Sequence, residues 1–146
     1  MSGMNRVIQI GIVVRDIERS SKIWSKLLGV EVPKWTETED ESVTKMRYRG
    51  KPSSGRAKLA FFTLENITIE LIEPIGGPST WKNFLDQHGE GVHHIAFDVD
   101  KIESGIEALR KIGVDIEQKG NFTGGSYAYT CSANGLGVIL ELLSKS

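Results

Sequence analysis

The stretch Gln9-Ile-Gly-Ile-Val-Val-Arg-Asp-Ile17 is answered by His94-Ile-Ala-Phe-Asp-Val-Asp-Lys-Ile102, and the fold follows from that echo. Each segment is a short apolar strand that runs directly into an amphipathic helix, and each opens on a residue able to bind a metal. Each half also closes on an apolar strand with one glutamate inside it, Ile67-Thr-Ile-Glu70-Leu71 and Val138-Ile-Leu-Glu141-Leu142. Two copies of one unit, with polar residues at four matching positions, predict a site built between the copies.

Outward from these strands the two units read alike. In the first, Asp16 caps a helix whose buried face is expected to be Ile17, Ser20, Ile23, Trp24, Leu27 and Leu28, with Gly29 as its stop. Residues 31–42, with Pro33 and the acidic run Glu37, Glu39, Asp40, Glu41, read as an exposed loop, and strands follow at about 43–49, 57–65 and 67–73. Gly76-Gly77-Pro78 and the cap Ser79 then introduce a short helix through Trp81, Phe84 and Leu85. In the second unit, the strand at 92–99 leads to a capping box of Asp100 and Glu103, then a helix with the stripe Ile102, Ile106, Leu109, Ile112 and the stop Gly113. Strands at about 114–118, 126–132 and 137–143 complete it. The order is β-α-β-β-β twice, which predicts an α+β fold in a single domain, 1–146, made of module one at 5–75, a connector at 76–90 and module two at 91–146. His94 follows Gln9 by 85 positions and Glu141 follows Glu70 by 71, so the first unit carries about 14 extra residues between 31 and 58. Long insertions on a rigid sheet are where substrate contacts tend to be placed.

Composition limits the function classes. A length of 146 residues, 39% apolar and 25% charged, suits one ordinary globular domain. A net charge of −1 and a pI near 6.3 give no reason to expect nucleic acid or an anionic membrane as partner. No segment approaches the roughly 20 apolar residues of a membrane span, and Met1-Ser-Gly-Met-Asn lacks the regions of a signal peptide. The single Cys131, expected to be packed rather than nucleophilic, excludes an internal disulfide, and a cytoplasmic location is expected. Lys45, Arg47, Arg49, Lys51, Arg56 and Lys58 form the nearest thing to a basic cluster, read either as solvated strand edges or as an anion-binding set in which Arg47 contacts substrate.

Side chains alternate across a strand. Gln9, Gly11 and Val13 therefore share one face, and His94, Ala96 and Asp98 share its counterpart, while Ile10, Ile12, Val14 and Ile95, Phe97, Val99 pack under the helices. A glutamate among isoleucine and leucine inside a strand is costly unless solvated, paired or ligated. Taken singly, each of Gln9, Glu70, His94 and Glu141 is ordinary. Taken together, they are better explained by one cation than by four coincidences.

With these residues the chain resembles the vicinal oxygen chelate superfamily, which includes glyoxalase I and methylmalonyl-CoA epimerase. The resemblance covers nearly the whole chain. Gly89-Glu-Gly-Val-His-His-Ile-Ala-Phe-Asp-Val99 carries it most firmly and looks most like the epimerases; Ile69-Glu70-Leu71-Ile72-Glu73-Pro74 and Gly137-Val-Ile-Leu-Glu141-Leu142 are similar to them too. It implies a glyoxalase-like arrangement, a curved, half-open eight-strand barrel around one divalent metal, with Gln9, Glu70, His94 and Glu141 as its ligands and His93 in a supporting position. Epimerases usually have histidine where Gln9 stands; glutamine there resembles one class of glyoxalase I. The epimerases' catalytic carboxylate in the middle of module one has no assignable equivalent in Val43–Pro52, and Glu39 and Glu41 are candidates only through their loop. A homodimer is implied as well.

This donor set suits zinc, manganese, cobalt, nickel or magnesium. Such an ion acidifies a C–H beside the carbonyl of a chelating small molecule and stabilises the enediolate, with a carboxylate as general base. Glu141 is the first candidate for that base and Glu73 a second. Tyr127 and Tyr129 share a strand face, so as substrate-binding residues they act together or not at all. The expected activity is metal-dependent isomerisation or epimerisation, on an acyl-CoA where the resemblance is followed. The alternatives are a glyoxalase I-like lyase, though no set of arginines for glutathione is recognisable, and a metal-free drug-binding protein of the same fold. Ring-cleaving oxygenases and thiol transferases require a second histidine, and Gln9 takes its place.

Overall fold

The computed structural model describes residues 3–145. Its elements in chain order are β1 (Val7–Val13), α1 (Ile17–Leu28), β2 (Thr36–Glu37), α2 (Glu41–Thr44), β3 (Arg47–Tyr48), β4 (Lys51–Pro52), β5 (Gly55–Thr63), β6 (Thr68–Gly76), α3 (Thr80–His88), β7 (Gly91–Asp98), α4 (Ile102–Lys111), β8 (Ile116–Phe122), β9 (Gly125–Thr130) and β10 (Ile139–Lys145). All strands join one mixed sheet in the order β2-β5-β6-β1-β7-β10-β9-β8-β3-β4, curled into a half-barrel of the expected α+β type.

The sheet has ten strands rather than eight, and the order shows why. Read inward to the centre, β2-β5-β6-β1 on one side is matched by β8-β9-β10-β7 on the other, and the remaining two strands, β3 and β4, come from the long insertion of the first unit. The strand expected at 43–49 is instead the helical turn α2 followed by a two-residue strand. Arg47 pairs with Lys119 and Tyr48 with Gln118, so the insertion crosses to the far edge of the second unit instead of extending the first. Asp40, in the run expected to be loop, caps α2 by accepting the Ser42 amide at 2.9 Å.

Three buried clusters follow from strand alternation. One lies under α1 (Ile17, Phe62, Ile69, Leu71), one under α4 (Ile106, Leu109, Leu140, Leu142), and one inside the curl (Val13, Met46, Ile72, Trp81, Tyr129, Ile139). Asp16 caps α1 through the Arg19 amide, and Gly29 ends it with φ +70°, as its sequence signals require. The buried stripe of α1 differs from expectation. Ser21 and Ser25 are the buried members, while Ile23 and Leu27 are 57% and 74% exposed, because residues 17, 21, 24, 25 and 28 form the face toward the sheet. Asp100 does not cap α4; Lys101 occupies that position with no side-chain bond, and Ile112 lies beyond the helix, exposed.

Candidate active site

The two central strands run antiparallel, and their neighbours β6 and β10 run parallel to them. Gly11 stands opposite Glu70 on one side and His94 on the other, and Glu141 stands opposite Ala96. That register brings Gln9, Glu70, His94 and Glu141 to one place on the concave face, all four buried. Nε2 of His94 lies 3.3 Å from Gln9 Oε1, 3.5 Å from Glu70 Oε1 and 3.3 Å from Glu141 Oε1. Only the contact with Gln9 has hydrogen-bond geometry; Glu70 Oε1 and Glu141 Oε1 are fully enclosed without a hydrogen-bond partner. Gly11 makes the convergence possible, because a Cβ there would sit 2.0 Å from His94 Cε1.

Burial dominates the electrostatics. It pushes Glu141 up to about 8, against a lowering hydrogen bond from Tyr129, and it raises Glu70 well above the carboxylate range with further help from the Glu141 charge. The same burial lowers His94 to about 3. Neutral imidazole and protonated carboxyls are thus the state these side chains adopt on their own. A divalent cation would reverse that preference for the two carboxyls, and the orphaned oxygens are the positions at which it is wanted. The donor chemistry fits such an ion. Among the described residues, however, no three His, Cys, Asp or Glu side chains are disposed to hold one together as they stand. They converge pairwise on the imidazole.

A cavity of about 670 Å³ opens above this floor, with Gln9, Glu70, Glu141, Tyr127, Tyr129 and Trp81 among its lining residues. Two hydrogen-bond chains fix the tyrosines. Trp81 Nε1 donates to the Tyr129 hydroxyl at 3.1 Å, leaving that hydroxyl's own proton for Glu141. The Thr80 amide donates to Gln118 Oε1 at 2.8 Å, and Gln118 Nε2 donates to the Tyr127 hydroxyl at 2.9 Å. Tyr127 therefore keeps a proton to offer, and its ring lies 5.1 Å from that of Tyr129. The shared strand face of the two tyrosines brings both to the cavity.

Other candidates lie elsewhere. Glu73 is on the helix side of β6: its Oε1 accepts the Ile17 amide at 2.9 Å and its Oε2 lies 3.5 Å from Lys58 Nζ, so it caps α1 and does not reach the cavity. Three positions separate it from Glu70, and strand alternation turns it to the opposite layer. Arg47 is exposed and holds its own turn through Gly50 O at 3.2 Å. Glu39 does line the cavity, but both its oxygens are taken by Thr123, the amide at 2.7 Å and the hydroxyl at 2.8 Å. Glu37, also in the wall, has only a loose ion pair with Arg56 at 3.7 Å. Gln118 was not singled out from sequence; the signal available was its alternation with Gly120, whose missing side chain admits the Tyr127 ring.

Residues 8–130 match the family model described as the glyoxalase/bleomycin resistance protein/dioxygenase superfamily. The chain belongs to that superfamily. Its members most similar to this chain include the uncharacterized protein YqjC of Bacillus subtilis (30% identical, 73% of this chain and 66% of YqjC) and the ethylmalonyl-CoA/methylmalonyl-CoA epimerase of Cereibacter sphaeroides (28% identical, 77% and 75%). With the mouse mitochondrial methylmalonyl-CoA epimerase the match is 25% identical and spans about half of that protein, 53%. Among solved structures, a hypothetical protein from Bacillus halodurans C-125 superposes with TM-score 0.69 at 26% identity over 97% of this chain and 94% of the other. The methylmalonyl-CoA epimerase of Mycobacterium tuberculosis does so with TM-score 0.67 at 19% identity, over 98% and 89%, a likeness of fold.

Proposed function

We propose that this chain is a divalent-metal-dependent epimerase that exchanges the proton next to a carbonyl, with a 2-substituted malonyl-CoA thioester as the substrate class. The observation that carries the reading is the pair of buried carboxyls, each with an orphaned oxygen, on either side of the His94 imidazole at the floor of an open cavity. The epimerase relatives support the substrate class. Gln9, Glu70, His94 and Glu141 would hold the ion. When bound, it supplies Lewis-acid polarisation of the substrate carbonyl and so acidifies the adjacent C–H.

The chain's own residues do the rest. Glu141, raised to about 8, is tuned to accept a proton near neutral pH once its carboxyl is ionised. Epimerisation removes a proton from one face of a carbon and returns one to the other, and in a two-base reading a second acid from the cavity wall returns it. Glu39 is occupied by Thr123 and Glu41 is not in the wall, which leaves Glu37 of the acidic run for that role. Tyr127, positioned by Gln118, donates its hydroxyl proton to developing negative charge on the substrate oxygen. Arg47, exposed in the hairpin and not part of the cavity lining, is suited to an anionic end of a long substrate rather than to the reacting carbon. A homodimer and a cytoplasmic location remain part of this reading; no helix among the described residues is long and apolar enough to cross a membrane.

The test is proton exchange. Metal-loaded protein in deuterated water should incorporate deuterium at C2 of methylmalonyl-CoA or ethylmalonyl-CoA, and Glu141→Gln should lower the rate by about 10²–10⁴-fold while sparing the fold. No exchange by wild-type protein with any of zinc, manganese, cobalt, nickel or magnesium would overturn the reading. One observation favours a metal-free binding protein instead: the three titratable groups are not disposed around a common ion. Elemental analysis after dialysis separates the two readings.

A further inference from the structure

His93 is as buried as His94, 1% against 0% exposed, although neighbouring residues of a strand ordinarily point to opposite faces. The cause is a break in register. Gly11 pairs with His94 but Ile12 pairs with Val92, so His93 is the extra residue of a β-bulge and turns toward the same interior as His94. The two rings stand nearly perpendicular, with Nδ1 to Nδ1 at 2.8 Å. A contact that short between two ring nitrogens contains one proton: one imidazole donates and the other accepts.

Two arrangements satisfy it. In the first, His93 Nδ1–H donates, so the proton of His94 sits on Nε2 and points at Gln9 Oε1, beside the carboxyls of Glu70 and Glu141. In the second, His94 Nδ1–H donates to His93, whose proton then lies on its own Nε2. That atom has no well-formed hydrogen bond, and the Thr80 backbone is the acceptor acting on the ring. Only the second arrangement leaves a lone pair on His94 Nε2. Both keep each ring neutral, so passing from one to the other moves one proton between the Nδ1 atoms, releases one from His94 Nε2 and takes one up at His93 Nε2.

We propose that His93 is a positioning residue: by accepting the Nδ1 proton of His94 it holds that ring in the tautomer able to ligate a cation, and cation binding switches the tautomer of both rings. This rests on the metal reading above and adds to it a residue that touches neither metal nor substrate. Groups oriented in this way typically contribute 10–100-fold to metal affinity.

The experiment combines calorimetric titration with zinc and ¹⁵N imidazole NMR on the full chain. Zinc added to wild-type protein should move the His93 proton from Nδ1 to Nε2. His93→Phe, which keeps the ring-filled interior but offers no acceptor, should bind zinc about 10–100-fold more weakly. His93→Asn, whose side-chain oxygen stands near the Nδ1 position, should recover most of that loss. If wild-type protein binds zinc and His93 keeps its tautomer, or His93→Phe binds within about threefold of wild type, the inference is overturned while the metal reading stands. If wild-type protein takes up no zinc at all, both fall together.

Discussion

Gly11→Ala isolates the packing on which the candidate site depends. Gly11 lies between Glu70 and His94 in the sheet, and an added Cβ would fall 2.0 Å from His94 Cε1 and 2.5 Å from both ring nitrogens. Ordinary contact is about 3.5–4 Å, so the ring must retreat by roughly 1.5 Å or more. It cannot retreat freely, because the Tyr129 and His93 rings stand at 5.0 and 5.1 Å centroid distance on its other sides. Overpacking of this kind costs about 1–3 kcal/mol, offset by about 0.4–1 kcal/mol from a less flexible unfolded chain. For a domain of this size the net, about 0–2.6 kcal/mol, corresponds to a Tm lower by up to about 10 °C. Thermal melting followed by circular dichroism reads it, with Gly91→Ala as the control: a Cβ there would meet only Phe84, at 3.8 Å. Equal melting temperatures for the two variants, with an unshifted His94 ring resonance, would refute the reasoning.

In metal-free protein, His94 lies near 3 and Glu141 near 8, both displaced by burial. The depressed histidine adds stability as pH rises from about 3 to its ordinary value, and the raised carboxyl withdraws it from the ordinary carboxylate value up to about 8. Urea unfolding should therefore show less stability at pH 8 than at pH 6, and a midpoint that rises instead would contradict these assignments. Tyr129→Phe leaves the buried Trp81 N–H without its acceptor and should cost about 1–3 kcal/mol in the same assay; an unchanged midpoint would mean that water or a shifted ring replaces the bond. Glu39→Ala should speed exchange of the Thr123 amide about tenfold or more in hydrogen-exchange experiments without changing global stability by more than about 1 kcal/mol. Protection that survives the substitution would show that the turn is held by other means.

The period-two alternation of β1 and β7 was enough to place Gln9, Gly11 and His94 on one face, and the matching glutamates followed from the repeat. What sequence could not show was anything that breaks a period or spans a distance. The bulge at His93 adds one residue to a strand, and no local signal separates it from an ordinary alternating position. The buried serines of α1 lost to Ile23 and Leu27 because hydropathy favoured the apolar pair, whereas the angle around the helix favoured Ser21 and Ser25. The pairing of β3 with β8 depends on a partner about 70 residues away, so residues 43–49 read as a strand of their own unit.

That last pairing also constrains how the molecule can be assembled and divided. The hairpin belongs to the amino-terminal half but finds its ladder partners at Gln118 and Lys119, with Arg49 joined to Glu117 by a backbone bond and an ion pair 3.3 Å long. Contacts of such sequence separation form late, because the intervening chain must first lose its freedom. A fragment ending before α4 would leave that hairpin without the strand it pairs with, so cutting the gene between the two repeats gives halves that are interlocked parts rather than twins.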